Sequence, residues 1–247
     1  MKPKQPELTV LADADALAHA AARRIVAGLA PTGRLAICLT GGSSPERLYR
    51  LMASASYRDV LPRDRIHWFW GDDRFVPHDD PRSNCGAARR LLLDRVPAPP
   101  DKIHPIPTDA SNADAAARRY AAELRSFYGA DRLDPQHPLF DVVLMGLGAD
   151  GHTASLFPGR AEVEETARWV VGVAQAGLEP FVPRVSLTLP ALASTRQMLF
   201  LVSGSGKRDI LTRVLSGADL PAARAYAEGD LVWLADRDAA PERRDVA

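Results

Sequence analysis

The stretch DVVLMGLGADGHTASLFPG (141–159) carries the pair of side chains best suited to chemistry, Asp150 and His152. An imidazole that titrates near pH 6.5 can take a proton from water at neutral pH, and a nearby carboxylate can orient it. The same stretch spells G-x-G-x-x-G through Gly146, Gly148 and Gly151, the fingerprint of a dinucleotide-binding loop. That reading demands an acid about 20 residues further on, ending the next strand, to grip a ribose. The next apolar stretch, WVVGVAQAG (169–177), has none. The glycines are therefore read as a sharp turn at the carboxyl end of a strand, where open α/β sheets hold their ligands. Ser155 lacks the G-x-S-x-G surroundings of a hydrolase nucleophile.

Two further glycine turns are suited to an anion. In LAICLTGGSSPERLYRLM (35–52), Gly41 and Gly42 let the backbone approach a ligand, and Ser43 or Ser44 can cap a helix whose first turn holds Pro45. Ser43 with Glu46 also fits a capping box, and the free N–H groups of such a helix start suit a phosphate. In LVSGSGKRDIL (201–211), Gly204 and Gly206 precede Lys207 at a second helix start. This is not a Walker loop, since its first glycine would fall on Leu201 and Arg208 follows the lysine. Lys207 can still meet a phosphate as a point charge. Arg184 opens RVSLTL (184–189), and Asp72, Asp73 and Arg74 follow the aromatic run IHWFW (66–70). His67, His78, Asp79, Asp80 and His104 lack metal-ligand spacing, so no metal is expected.

The elements that must position these residues alternate along the chain. Strands are expected at 35–39, 66–70, 140–146, 169–174, 184–189, 197–203 and 231–236, several apolar on both faces. Helices are expected at 14–30, 45–55, 84–96, 113–128 and 207–216. The alternation predicts an α/β fold: a single-domain, mostly parallel, Rossmann-like sheet with helices on both faces. The proline-rich 96–107 is expected to be a long surface connection within one domain spanning 1–247, and the polar ends, 1–7 and 241–247, are expected to fray.

Composition narrows the partners. The 31 basic and 31 acidic side chains cancel, so nothing draws the chain over long range toward nucleic acid or an anionic membrane, and a small molecule is the expected partner. The start has no signal-peptide core, and no stretch stays apolar for the roughly 18 residues of a membrane span, which points to the cytoplasm. Of the two cysteines, Cys38 lies in an apolar run as a small core residue; no disulfide or structural zinc is expected.

TGGSSPERLY, WGDDRFVPHDDPRSN, GLGADGHTASLFPG and RVSLTLPAL followed by GSGK run in this order from about residue 40 to 207. Together they resemble the 6-phosphogluconolactonase family, one branch of a superfamily that also contains glucosamine-6-phosphate deaminase. The resemblance implies hydrolysis of 6-phospho-D-glucono-1,5-lactone without a cofactor. It implies His152 as general base, and Gly41, Gly42, Ser43, Arg74, Arg184 and Lys207 around the sugar phosphate, with Ser44 in the same loop. Asp72 matches the first acid of the family's D-E-R. Either Asp72 or Asp150 would hold the imidazole or a ring hydroxyl. Two positions depart from the pattern: Asp73 replaces the usual Glu, and Asp80 stands where His is common. The deaminase branch completes its relay with a Glu, and here Phe157 stands at that position. A sugar-phosphate sensor of the same fold would need a DNA-binding module, and the roughly 34 residues before the first expected strand hold one amphipathic helix and no helix-turn-helix.

Overall fold

A computed structural model describes residues 6–96 and 98–242. Among the described residues, nine strands run in the order β1 (Glu7–Leu11), β2 (Leu35–Leu39), β3 (Ile66–Trp70), β4 (Asp72–Arg74), β5 (Phe140–Met145), β6 (Val170–Val173), β7 (Arg184–Leu187), β8 (Thr195–Val202) and β9 (Asp230–Asp236). The helices are α1 (Ala14–Gly28), α2 (Ser43–Met52), α3 (Ala55–Arg58), α4 (Asn84–Ala88), α5 (Ala113–Tyr128), α6 (Leu189–Ala193) and α7 (Arg208–Leu215). Among the described residues, no helix is long and apolar enough to cross a membrane.

Six strands form a parallel sheet in the order β1-β9-β8-β5-β2-β3. Every residue of β2 is buried, as is all of β5 but Asp141, because a parallel sheet is covered on both faces. α1 packs across β9, β8 and β5. The chain leaves β2 toward β3 on one side and β5 toward β8 on the other. A crevice therefore opens at the carboxyl ends of β2 and β5, the switch point where such sheets hold ligands.

The expected strands 169–174 and 184–189 exist, but not in that sheet. β6 and β7 pair antiparallel with each other, and β7 with β4, as a separate three-stranded sheet. The reason is chain length: only residues 174–183 separate them, too few for the crossover of a dozen or more that parallel neighbours require. α5 covers this small sheet.

Three other expectations change, and that of fraying ends falls mostly outside the described residues. β1 precedes the first expected strand; it is a short edge strand whose Leu8 and Val10 remain exposed. Glu7 and Pro6, with Pro241 and Glu242, are the only parts of the two polar ends that fall within the described residues. The helix expected over 84–96 is divided into α4 and a π-helical turn at Arg89–Leu93. The connection 96–107 is more than a surface loop, since Ile103 bridges to Trp68 on the outer edge of β3 and Ile106 is buried. Cys38 is a free, fully buried core residue, as expected.

Candidate active site

The crevice holds a cavity of about 200 Å³. Gly41 and Gly42 after β2, Asp72 and Arg74 on β4, His152 after β5, Arg184 on β7 and Lys207 before α7 all line it. Residues scattered over 167 positions of sequence thus meet at one mouth, because β4 and β7 are laid over the carboxyl ends of the large sheet.

The turn after β5 is built around the imidazole. Gly148 N–H donates to the His152 carbonyl at 2.8 Å, and Gly151 N–H to the Gly148 carbonyl at 3.1 Å. Gly151 has φ 89°, in the left-handed region that favours glycine. His152 Nδ1–H donates to Asp150 Oδ1 at 2.6 Å, and the His152 backbone N–H donates to the same oxygen at 3.0 Å. A proton held at Nδ1 leaves the Nε2 lone pair available as a base. Burial works against the charge of Asp150, but the bonds from His152 outweigh it and hold the carboxyl below its usual range. Phe157, 3% exposed, sets its ring 4.7 Å from that of His152. A buried aromatic, not a carboxylate, therefore packs beside the imidazole at this position.

Asp72 serves elsewhere. It accepts from Ser155 Oγ at 2.6 Å, and its carbonyl accepts from Asn84 Nδ2 at 3.0 Å. Of the two acids left open by the sequence, Asp150 is the one that bonds the imidazole. The left-handed Ala154, φ 48°, turns the chain so that Ser155 is buried against Asp72.

Among the described residues no carboxylate forms a salt bridge with Arg74, Arg184 or Lys207, although Asp72 and Asp73 act on Arg184 and Asp150 on Lys207 at longer range. Arg74 and Arg184 stand directly opposite one another across β4 and β7, an arrangement that is unfavourable for like charges. Arg184 donates to the Pro180 carbonyl at 2.9 Å, yet the Nε atoms of both arginines are buried without a partner. Burial, followed by repulsion from Arg74, lowers the pKa of Arg184. Burial also lowers that of Lys207, with Asp150 opposing the shift. Cations so placed are relieved by an anion entering the cavity.

The loop after β2 differs in detail from expectation. α2 is capped by Gly42 (φ 114°), not by a serine, and there is no capping box. Ser43 and Ser44 already lie in the first helical turn, so neither side chain can reach back to cap it, and neither lines the cavity. Glu46 instead pairs with Arg50 one turn on. Gly41 has a different task, for a β-carbon there would lie 2.0 Å from Asn84 Oδ1. Asn84 lines the cavity and was not singled out from the sequence; its only signal was its place at the end of the PRSN block.

The two departures from the family pattern have separate fates. Asp73 is fully buried and accepts from the backbone N–H groups of Arg74, Asn84 and Cys85 and from Ser83 Oγ. It thereby ties β4 to the start of α4, from which Arg74 and Asn84 line the cavity. Asp80 stays outside the cavity and bonds Arg82, which holds its carboxyl down at about 2.

Residues 12–233 match the family described as glucosamine-6-phosphate isomerases/6-phosphogluconolactonase. A 6-phosphogluconolactonase of Mycobacterium tuberculosis is 38% identical over 244 residues, covering 94% of this chain and 96% of the relative. That of Streptomyces coelicolor is 37% identical over 252 residues, covering 96% and 94%. Among solved structures, 6-phosphogluconolactonase from Trypanosoma brucei superposes with TM-score 0.78 at 30% identity, over 95% of this chain and 97% of the other. The enzyme from Thermotoga maritima does so with TM-score 0.81 at 29% identity, over 94% and 100%. A monomeric glucosamine-6-phosphate deaminase, at 20% identity and TM-score 0.79 over 94% and 98%, shares the fold alone.

Proposed function

Because the chain belongs to the glucosamine-6-phosphate isomerase/6-phosphogluconolactonase family, we propose that it hydrolyses 6-phospho-D-glucono-1,5-lactone to 6-phospho-D-gluconate, the second step of the oxidative pentose phosphate pathway. The observation that carries the reading is the Asp150–His152 pair beside a cavity lined by Arg74, Arg184 and Lys207, with Phe157 in place of a relay acid.

Lys207, Arg184 and Arg74 hold the phosphate, with the loop of Gly41 and Gly42 beneath it. Remote binding of the phosphate fixes the ring and spends binding energy on orientation. His152 Nε2 takes a proton from water as the water oxygen bonds to C1, and the carbonyl electrons move onto oxygen. When the carbonyl re-forms, the bond from C1 to the ring oxygen breaks and the imidazolium returns its proton to that oxygen. Asp150 keeps the ring in the right tautomer and stabilises the imidazolium. Asp72 accepts from a ring hydroxyl. A phosphorylated sugar acid does not cross membranes unaided, so we place the reaction in the cytoplasm, where sugar phosphates are made and used.

The test is acid release from freshly generated lactone, above its spontaneous hydrolysis, by wild type and His152→Ala, with ammonia release from glucosamine 6-phosphate in parallel. We expect fast wild-type hydrolysis, a fall in kcat of about 10²–10⁴ in the variant and little change in KM. Ammonia release without lactone hydrolysis would overturn the reading in favour of the deaminase branch.

A further inference from the structure

The turn that delivers Lys207 is held by a buried carboxylate that the chemistry above does not use. Asp236 is the last residue of β9 and is 4% exposed. It lies beyond residue 233, where the match to the family ends. Val202 of β8 stands beside Ala235 of β9 in the parallel register, so the next residues along are Ser203 and Asp236. Ser203 Oγ donates to Asp236 Oδ2 at 2.5 Å, and Gly204 N–H lies 3.1 Å from both carboxylate oxygens. Ala239 N–H donates to Oδ1 at 2.9 Å. Among the described residues no cation pairs with this carboxylate; its charge is met by these donors.

Two consequences follow for the anion site. The Gly204 amide is already taken, so this glycine turn does not offer that N–H to a phosphate and leaves the task to the lysine. Gly204 is also the hinge of the turn: it has φ 93°, and its carbonyl accepts from Lys207 N–H at 3.0 Å. One unbroken series of bonds therefore joins Asp236 to the backbone of Lys207.

We propose that Asp236 is a positioning residue, which fixes the Ser203–Gly204 turn so that Lys207 is held ready for the substrate's phosphate. This rests on the lactonase reading and deepens it. An asparagine at 236 keeps the size but replaces an acceptor with an NH₂ group facing N–H and O–H donors, which loosens the turn while leaving the ammonium in place. A lysine on a loosened turn must be ordered by the ligand, and that cost falls on binding.

The experiment is a cycle of Asp236→Asn, Lys207→Ala and the double variant, in the full chain. For each, kcat and KM are measured for the phosphorylated lactone, together with the inhibition constant of inorganic phosphate. Asp236→Asn is expected to raise KM and the phosphate inhibition constant together, roughly ten-fold, inside the hundred-fold that a misplacement of about 1 Å can cost. Added to Lys207→Ala it should raise neither further, since the two act through one group. Additive effects, or a fall in kcat with no change in either constant, would overturn the proposal in favour of a general structural role. Should Asp236→Asn fail to fold, Ser203→Ala removes one bond and keeps the carboxylate; it must show the same split at smaller size, and unchanged constants in a folded Ser203→Ala overturn the proposal equally. A wild type no faster than the blank fails the lactonase reading itself, a result distinct from additivity in an active enzyme.

Discussion

At the scale of single residues, the site depends on what is missing from Gly148. A β-carbon there would lie 2.0 Å from His152 Nδ1, in the space where the Asp150 bond is made. Gly148→Ala must therefore displace the ring or break that bond. Its kcat should approach that of His152→Ala, down by about 10²–10⁴, while KM moves little because the cationic residues are untouched. Steady-state kinetics on the lactone decide it, and a kcat near that of wild type would mean that the ring sits elsewhere when substrate is bound. The sequence places Gly148 in a sharp turn that presents His152, but that its missing β-carbon makes room for the imidazole itself is visible only in the tertiary contact.

At the scale of elements, the strand ends beneath the cavity are pinned by two buried tyrosines. Tyr49 of α2 accepts from Thr40 N–H at 3.0 Å and donates to the Thr40 carbonyl at 2.7 Å. Tyr120 of α5 does the same for Trp70, at 2.9 and 3.1 Å. Each hydroxyl satisfies a donor and an acceptor where a strand leaves the ladder, and burial pushes both phenols up, so they stay protonated. Tyr49→Phe strands both Thr40 groups away from water and should destabilise the protein by about 1–3 kcal/mol. Urea denaturation measures the loss. Since Gly41 is the next residue, KM for the lactone should rise as well, and an unchanged midpoint would show that water replaces the hydroxyl.

At the scale of the whole molecule, the outer edge of the large sheet carries a pH-sensitive seam. His104 Nδ1–H donates to Glu123 at 2.7 Å, and His67 Nδ1 lies 2.8 Å from His104 Nε2, with Phe69 stacked on the His104 ring. These bonds join β3, the 96–107 connection and α5. Burial, followed by repulsion from His104, pushes His67 down to about 4. Unfolded, it would titrate near 6.5, so between those values the unfolded chain binds a proton that the folded chain refuses. Stability due to this group is complete above about pH 6.5 and is lost as pH falls toward about 4. Unfolding free energies at pH 7, 5.5 and 4 should therefore decline in wild type and decline less in His67→Gln. Parallel slopes would remove His67 as the source.

Local pattern was enough for the α/β class, for most of the central strands and for the motifs around His152, because apolar periodicity and turn chemistry depend on near neighbours in the chain. The same local reading offered Lys207 to a phosphate because it follows the Gly204–Gly206 turn at a helix start, but it reached Arg74 and Arg184 as phosphate contacts only through family resemblance, since an isolated basic residue has no neighbour in sequence that reveals its use. What the tertiary structure alone decided was which residues meet. The antiparallel pairing of β4 with β7 sets Arg74 against Arg184, Asn84 fills the space left by Gly41, and Asp150 takes the imidazole while Asp72 binds Ser155. Those choices rest on contacts between segments far apart in the chain, and they are fixed when the small sheet closes over the carboxyl ends of the large one.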